Sequence, residues 1–274
     1  MKTPEGDEKA CWAASLGDCS GKRSREHLIS KGIIEAGEFG GLPWCRDKPI
    51  SVGTGGLTSH VLCSKHNHAL SPLDAEAKKV FDFLRDGLQG RYEAPESPGV
   101  VDLAVDGLLL ERWFLKTAMN FVYAFGAVVD GESNPVESPE RDLVEIAWGL
   151  RPFEAGAGLF MPACLDQVTS HVAGFTYRGL SRDRVLRGAL FRFMQFRFVI
   201  SWAPLESLEG SDLFACDAEL AKCRLHHRVG EIAFGSEIPD QVVGKLTLRW
   251  TGDRSTATDL TQPALPRLMF APTG

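Results

Sequence analysis

Residues 63–84 have the sequence CSKHNHALSPLDAEAKKVFDFL, and this stretch decides the fold of the first part of the chain. Ser71 suits a helix N-cap, Pro72 suits the first helical position, and Asp74 completes a variant of the capping box. Apolar residues then recur at helical spacing, at Leu73, Ala77, Val80, Phe81, Leu84 and Leu88. The stretch therefore predicts a helix with one apolar face, preceded at once by the pair Cys63-x-x-His66.

Two strands are predicted before this helix. An alternating stretch around Arg25 to Ile34 favours a short strand, and Leu57 to Leu62 favours a second strand that leads into Cys63. Residues 36–57 lie between them and are rich in glycine, with prolines as well, which predicts a loop with at most a brief strand. The order of strand, loop, strand and helix is a ββα unit.

Four residues at the joints of this unit form a candidate metal site, namely Cys11, Cys19, Cys63 and His66. Tetrahedral zinc takes three cysteines and one histidine in structural sites, and its binding energy would add to the stability of a unit with little core of its own. The seven residues between Cys11 and Cys19 exceed the usual spacing of about two to four. The alternative therefore stays open that these are ordinary thiols, with His66 a solvated residue at the helix entry. The other cysteines are interpreted as buried or surface thiols: Cys45, Cys164, Cys216 and Cys223.

A second polar set, Glu26-His27 and Asn67-His68, lies just outside the four candidate ligands. Hydrolysis of a phosphodiester needs an activated water and a cation that neutralises the phosphate. A histidine can activate water because its proton affinity lies near neutral pH, which suits His27, and Asn67, with Glu26 or His68, could hold a divalent ion. The alternative for His27 is a surface histidine at a strand end.

These motifs give the chain a resemblance: residues 11 to about 85 resemble an HNH endonuclease of the zinc-stapled ββα-metal type, and residues 66–74 are similar to uncharacterised bacterial HNH-like proteins. The first family motif, an acidic residue followed by histidine, is matched by Glu26-His27. The last, Cys-x-x-Cys followed by Asn or His, is matched by residues 63–67, with His66 in place of a cysteine. The resemblance implies that His27 is the general base and that Asn67 is a metal ligand.

The resemblance also implies an activity, which is metal-dependent hydrolysis of nucleic-acid phosphodiester bonds, with DNA favoured over RNA. Its cofactors would be a structural Zn²⁺ and a catalytic Mg²⁺ or other divalent ion, and its setting a bacterial defence system or a mobile element. Thr58 departs from the family, because the family usually places there a middle Asn that orients the base. This departure favours the alternative of a catalytically decayed, zinc-stapled module that binds nucleic acid or protein. A protein partner and an oligomer both stay open.

Composition bounds the remaining expectations. The 274 residues are 44% hydrophobic and 24% charged, as in ordinary globular proteins. The chain has no apolar run of about eighteen residues and begins with the polar MKTPEGDEKA, so we expect a cytoplasmic protein without a membrane span. The net charge of −6 argues against coating nucleic acid by charge alone, and leaves room for a local basic channel.

The predicted fold class is α+β, with an HNH-like domain at residues 1–95 and a helix plus β-rich domain of unknown role at 96–274. Residues 91–101 suggest a linker, residues 107–125 a helix, and residues 143–252 a largely β region. The strand predicted at Leu190 to Trp202 puts Phe191 and Phe193 on one face and Arg192 on the other. A core strand with solvated arginines is favoured there over a surface that tracks phosphates. His226-His227 is interpreted as a loop or strand edge.

Overall fold

The protein is described by a computed structural model over residues 11–33, 36–39, 50–53, 56–88, 100–129, 132–134, 140–162, 175–182, 185–194, 196–205, 224–234 and 243–250. These ranges form a mixed α+β fold with several sheets. The helices are α1 (Ser64–Ala69), α2 (Ser71–Leu88), α3 (Gly107–Phe125) and α4 (Arg141–Trp148). The strands are β1 (Arg23–His27), β2 (Ala36–Phe39), β3 (Ile50–Gly53), β4 (Thr58–Cys63), β5 (Val100–Asp106), β6 (Ala127–Val129), β7 (Glu132–Asn134), β8 (Gly158–Pro162), β9 (Phe175–Arg182), β10 (Val185–Phe193), β11 (Phe196–Ser201), β12 (Leu225–His227), β13 (Glu231–Phe234) and β14 (Val243–Arg249).

The predicted order of two strands and a helix is present near the N-terminus. Strands β1 and β4 pair antiparallel, with Arg23 opposite Cys63 and His27 opposite Thr58. A short helix that the sequence analysis does not predict, α1, follows β4 without a break, and the predicted helix, α2, comes directly after it. The first strand ends at His27 and does not reach Ile34, because the chain turns after Leu28: the N–H of Ile33 donates to the carbonyl of Ser30. Strands β2 and β3 form a hairpin inside the segment that was expected to be mostly loop.

Helices α2 and α3 begin where the sequence predicts. Helix α2 starts at Ser71, and α3 spans Gly107–Phe125. The carboxylate of Asp106 caps α3 by accepting the N–H groups of Leu108 and Leu109. Gly107 is required at this start, because a Cβ there would lie 2.7 Å from the ring of Trp250. Helix α3 is buried along most of its length and is the central element of the fold.

The C-terminal region is built around a five-stranded sheet in the order β12-β8-β11-β10-β9. The single strand predicted at Leu190 to Trp202 is two strands, β10 and β11, joined at Met194, whose φ of 52° lies in the left-handed region. Phe191 and Phe193 are fully buried, as predicted for a core strand. The arginines are not solvated as expected, because Arg192 is half-buried and donates to the carbonyl of Met194, and Arg197 is 4% exposed. Strand β12, which contains the two histidines, is an edge of this sheet.

Helix α4 departs from the prediction, because it lies at the start of the region expected to be largely β. A second, three-stranded sheet has the order β13-β14-β5, and β5 and β14 run parallel. This pairing joins residues 100–106 to residues 243–249, which lie far apart along the chain.

One hydrophobic core extends from Trp12 to Leu248 and contains residues on both sides of the predicted boundary at residue 95. Phe81 of α2 packs edge-on against Phe193 of β10, with ring centroids 4.7 Å apart, and against Trp113 of α3 at 5.1 Å. The boundary itself stays a prediction, since residues 91–99 of the predicted linker lie outside the described residues. Its last two residues, 100 and 101, begin β5.

Four cysteines of the sequence also lie outside the described residues: Cys45, Cys164, Cys216 and Cys223. None of the helices in the described ranges is both long enough and apolar enough to cross a membrane.

Candidate metal centre and the polar cluster beside it

The four predicted zinc ligands come together in the structure. The Sγ atoms of Cys11, Cys19 and Cys63 and a ring nitrogen of His66 all lie within 4.8 Å of one another. The Nδ1 atom of His66 is 3.4 Å from Sγ of Cys11 and 3.6 Å from Sγ of Cys19. A tetrahedral zinc spaces its sulfur ligands about 3.8 Å apart. Donor types and spacing both fit, so this cluster could bind a metal such as zinc.

The wide spacing of Cys11 and Cys19 is absorbed by a compact reversal of the chain. A 3₁₀ turn at Ala14–Leu16 is followed by Gly17 and Asp18, both at positive φ, and this brings Cys19 back beside Cys11. The N–H of Trp12 donates to the carbonyl of Val61 at 3.0 Å, which fastens the reversal to β4. The unusual spacing therefore does not prevent the two thiols from facing one site.

Cys63 and His66 are placed by the start of α1. Cys63 is the N-cap of this helix, and its Sγ accepts the N–H of His66 at 3.5 Å. His66 lies one helical turn later and is almost fully buried. His66 is thus a buried member of the centre, in contrast to the alternative of a solvated helix-entry residue.

The three thiols differ in acidity. Burial acts to raise the pKa of Cys63, but hydrogen bonds from the N–H of His66 and from Ser20 bring that pKa down to about 6. Burial, and then the neighbouring Cys11, raise the pKa of Cys19 to about 12, and burial also raises the pKa of Cys11. The centre therefore offers one thiolate and two thiols, and a bound metal would displace the protons of the latter pair.

Two residues that the sequence did not suggest as partners support His66. The Oδ1 atom of Asp18 lies 3.1 Å from Nε2 of His66, which leaves Nδ1 of the ring directed at the sulfurs. The other oxygen of Asp18 pairs with Lys65. On the opposite side, the ring of Trp148 in α4 packs edge-on against His66, with centroids 5.5 Å apart. The signal for Asp18 was present in the sequence, because it directly precedes Cys19.

Glu26 and Asn67, two of the predicted catalytic residues, lie together behind the centre. The Nδ2 group of Asn67 on α1 donates to Oγ of Ser24 on β1 at 2.8 Å. Burial raises the pKa of the Glu26 carboxylate above its usual value, and Lys116 opposes that rise, with a smaller opposing effect from the Asn67 amide. Glu26 is only 5% exposed, so its carboxylate faces the interior between β1 and α1.

A lysine from α3 reaches this pocket. The Nζ atom of Lys116 lies 2.9 Å from Oε1 of Glu26 and 2.7 Å from Oδ1 of Asp74, and the Lys116 side chain is 1% exposed. Asp74 also accepts from Ser30, whose Oγ in turn accepts the indole N–H of Trp113 at 2.7 Å. No local sequence pattern marks Lys116, which lies on α3, 42 residues after Asp74.

His27 and His68 are placed differently. His27, at the end of β1, is half-buried, and burial, then Lys31 and then Arg25 lower its pKa below the usual 6.5. His68 on α1 is exposed. Within the described part of the chain, no hydrogen bond joins His27 to Asn67 or to His68.

Thr58 pairs with His27 across the hairpin, at the position where the resemblance expects an orienting amide. Its Oγ1 accepts from Nε of Arg25 at 2.9 Å. The Thr58 hydroxyl is thus bound by an arginine of the strand paired with β4.

Comparisons of the chain with protein-family models, with curated proteins and with solved structures give no match.

Proposed function

We propose that the protein is a metal-dependent endonuclease of the HNH type, which hydrolyses nucleic-acid phosphodiester bonds, with DNA favoured over RNA. The observation that carries the proposal is the arrangement of side chains where the strands of the ββα unit meet its helix. A Cys₃His cluster holds the β1–β4 hairpin to α1, with His27 at the end of β1 and Asn67 on the first turns of α1.

In this proposal the Cys₃His centre holds a structural zinc. Its four ligands come from the 3₁₀ reversal, from the end of β4 and from α1, and no open coordination position is needed for a structural site. The role of the ion would be to fix the angle between hairpin and helix, on which the relative positions of His27 and Asn67 depend.

His27 would act as the general base. Burial and the positive charges of Lys31 and Arg25 keep its imidazole neutral at neutral pH, and only the neutral ring can accept a proton from water. A divalent ion such as Mg²⁺, when bound, would neutralise charge on the phosphate and on the leaving oxygen. Asn67 and His68 are the residues available to hold it, because the Glu26 carboxylate is already paired with Lys116.

The proposal is tested by incubating purified protein with plasmid DNA, single-stranded DNA and RNA, each with Mg²⁺, Mn²⁺ or Ni²⁺. The variants are His27→Ala and, as a matched control, His60→Ala, which removes an exposed histidine from the same hairpin. Loss of a general base lowers the rate by about 10²–10⁴-fold, so we expect His27→Ala to lose cleavage and His60→Ala to retain it. Equal cleavage by both variants would assign the base to another residue.

A second candidate function, a binding module with a decayed nuclease site, is favoured by two observations. The Thr58 hydroxyl is taken by Arg25, and Glu26 is neutralised by Lys116. Under this candidate the wild type binds labelled DNA or RNA in a mobility-shift assay, cleaves neither, and is indifferent to His27→Ala. Binding without cleavage under every metal condition would replace the nuclease proposal with this one.

A further inference from the structure

The face of β1 that is turned away from the core carries an arginine beside the proposed general base. Successive side chains of a strand point to opposite faces, and Glu26 is buried while Arg25 is exposed, so His27 shares the outer face with Arg25. Thr58 lies directly opposite His27 on β4, and directly opposite residues share one face, with Cβ atoms about 4.5–5.5 Å apart. Arg25, His27 and Thr58 therefore form one group on the outer face of the hairpin.

A hydrogen bond fixes Arg25 within this group, because its Nε donates to Oγ1 of Thr58 at 2.9 Å. A guanidinium has five N–H donors in a rigid, planar fork, so this bond uses one donor and leaves four on the two terminal nitrogens. Within the described ranges, no hydrogen bond or ion pair engages those four donors. The fork is held on one side and open on the other, as two parallel hydrogen bonds to a phosphate require.

The surface around this group is positively charged, although the whole chain carries a net charge of −6. Residues 11–33 and 56–70 contain two acidic residues, and the carboxylates of both are paired with lysines: Asp18 on the surface and Glu26 in the interior. Three exposed cations of the same ranges have no ion pair among the described residues, namely Lys22, Arg25 and Lys31.

Two of these cations lie near the imidazole of His27. Burial lowers the pKa of His27, and the charges of Lys31 and then Arg25 lower it further. An anion that approaches His27 therefore meets uncompensated positive charge, which favours a phosphate over a carboxyl-rich protein surface only if the fork of Arg25 is used, since phosphate offers several oxygens to one guanidinium.

We propose that Arg25 and Thr58 form a phosphate clamp beside His27, in which Thr58 is a positioning residue and the terminal nitrogens of Arg25 bind a phosphate of the nucleic-acid backbone. The inference rests on the proposed function and names the residues that hold the substrate near the base. It also gives Thr58 a role of its own. At the position where the resemblance expects an orienting amide, the Thr58 hydroxyl orients an arginine.

The experiment measures binding apart from cleavage, on the full chain. Fluorescence anisotropy follows a short labelled duplex DNA, a single-stranded DNA and an RNA without Mg²⁺, at KCl concentrations between about 50 and 200 mM. Arg25→Gln removes the guanidinium, Thr58→Val removes the hydroxyl and keeps the shape of the side chain, and Thr58→Ser keeps the hydroxyl. Arg141→Gln is the matched control, because it removes an exposed arginine of α4, paired with Glu145, and changes the net charge equally.

We expect Arg25→Gln to weaken binding and to lower the slope of log K against log [KCl] by about 0.9, the value of one phosphate contact on duplex DNA. Thr58→Val keeps the charge, but the guanidinium must then be immobilised on binding, so the affinity should fall by about two- to tenfold with the slope unchanged. Thr58→Ser and Arg141→Gln should bind as the wild type does.

Four results would overturn the inference. The wild type binds none of the three nucleic acids, Arg25→Gln binds as tightly as the wild type, Arg25→Gln keeps the wild-type slope, or Arg141→Gln loses as much affinity as Arg25→Gln. Equal binding by Thr58→Val and the wild type would overturn the positioning role of Thr58.

The cleavage assay, run on the same samples with a divalent ion, separates this inference from the nuclease proposal. Binding that depends on Arg25, without cleavage under any metal condition, would end the nuclease proposal and keep the phosphate clamp. Cleavage by the wild type, together with equal binding and equal cleavage by Arg25→Gln, would overturn the clamp and keep the nuclease proposal.

Discussion

Zinc is expected to stabilise the folded chain by an amount that the free zinc concentration sets. The four ligands converge only when the 3₁₀ reversal, β4 and α1 are folded, so the unfolded chain lacks the site. With free Zn²⁺ buffered at about 1,000 times Kd, linkage gives roughly 4 kcal/mol of added unfolding free energy. Each kcal/mol moves Tm by about 2–4 °C in chains of comparable size, so the predicted shift is roughly 8–16 °C.

The assay is differential scanning calorimetry in zinc-buffered solution and in chelator, on wild type and on Cys19→Ser. The shift should vanish in Cys19→Ser, because three ligands leave the centre incomplete. A second variant, His60→Ala, removes an exposed histidine of β4 that is not among the four candidate ligands, and it should keep the whole shift. The reasoning is refuted if the wild type melts at one temperature in both buffers, or if Cys19→Ser shifts as much as the wild type.

Three further predictions concern other residues. Asp18→Asn should weaken zinc binding about tenfold in a chelator competition, at the low end of the range for carboxylates that orient a histidine ligand, because Asp18 is largely exposed. Arg228→Met should cost about 3–5 kcal/mol of unfolding free energy in urea titrations, since the carboxylate of Glu111 is 1% exposed and loses its cation. Burial raises the pKa of Glu26 above 4.5, so from pH 4.5 upward the folded chain keeps a proton that the unfolded chain has released. The contribution of Glu26 to the unfolding free energy therefore falls as pH rises from 4.5 through the pKa of the folded chain. Glu26→Gln should lack this dependence of stability on pH.

The first two of these have a matched control. Asp142→Asn breaks the exposed pair with Arg151 and should leave zinc affinity unchanged. Lys78→Met breaks a surface pair on α2 and should cost less than about 0.5 kcal/mol. Equal losses from the surface and the buried pair would contradict the argument from burial. A Glu26→Gln variant with the wild-type pH dependence would contradict the linkage argument.

The parts of the fold that local sequence determines were predicted. The helical spacing of apolar residues after Pro72 marks α2, and the recurrent apolar positions within residues 107–125 mark α3. The turn between β10 and β11 was missed because Met194 adopts a left-handed conformation without being glycine, so its sequence carries no turn signal. The Gly-rich segment concealed the β2–β3 hairpin for the opposite reason, since glycine suggests a loop wherever it is frequent.

In the candidate site, too, some residues could be predicted from local sequence and others could not. The Cys₃His set could be predicted from the sequence because residues of ligand type recur near the ends of the predicted strands and helix. The 3₁₀ turn at Ala14–Leu16 accommodates the wide spacing of the first two cysteines. The partner of Glu26 could not be predicted from the sequence, because Lys116 reaches Glu26 only through the packing of α3 on β1, β4 and α2. Long-range charge pairing of this kind has no local pattern, so a sequence shows the carboxylate without showing what neutralises it.

The hydrophobic core that the ββα unit shares with α3 and the C-terminal sheets limits whether the unit can be transferred to another protein. A fragment that ends near residue 95 would keep all four candidate metal ligands, yet it would lose Trp113 and Lys116 of α3. Glu26 and Asp74 would then face each other across an opened cleft with no cation between them. The ββα unit is consequently not expected to fold when it is moved alone to another protein. A graft onto another scaffold needs a substitute for α3 that supplies its own buried cation. A recombination point inside residues 89–99 separates halves that depend on each other.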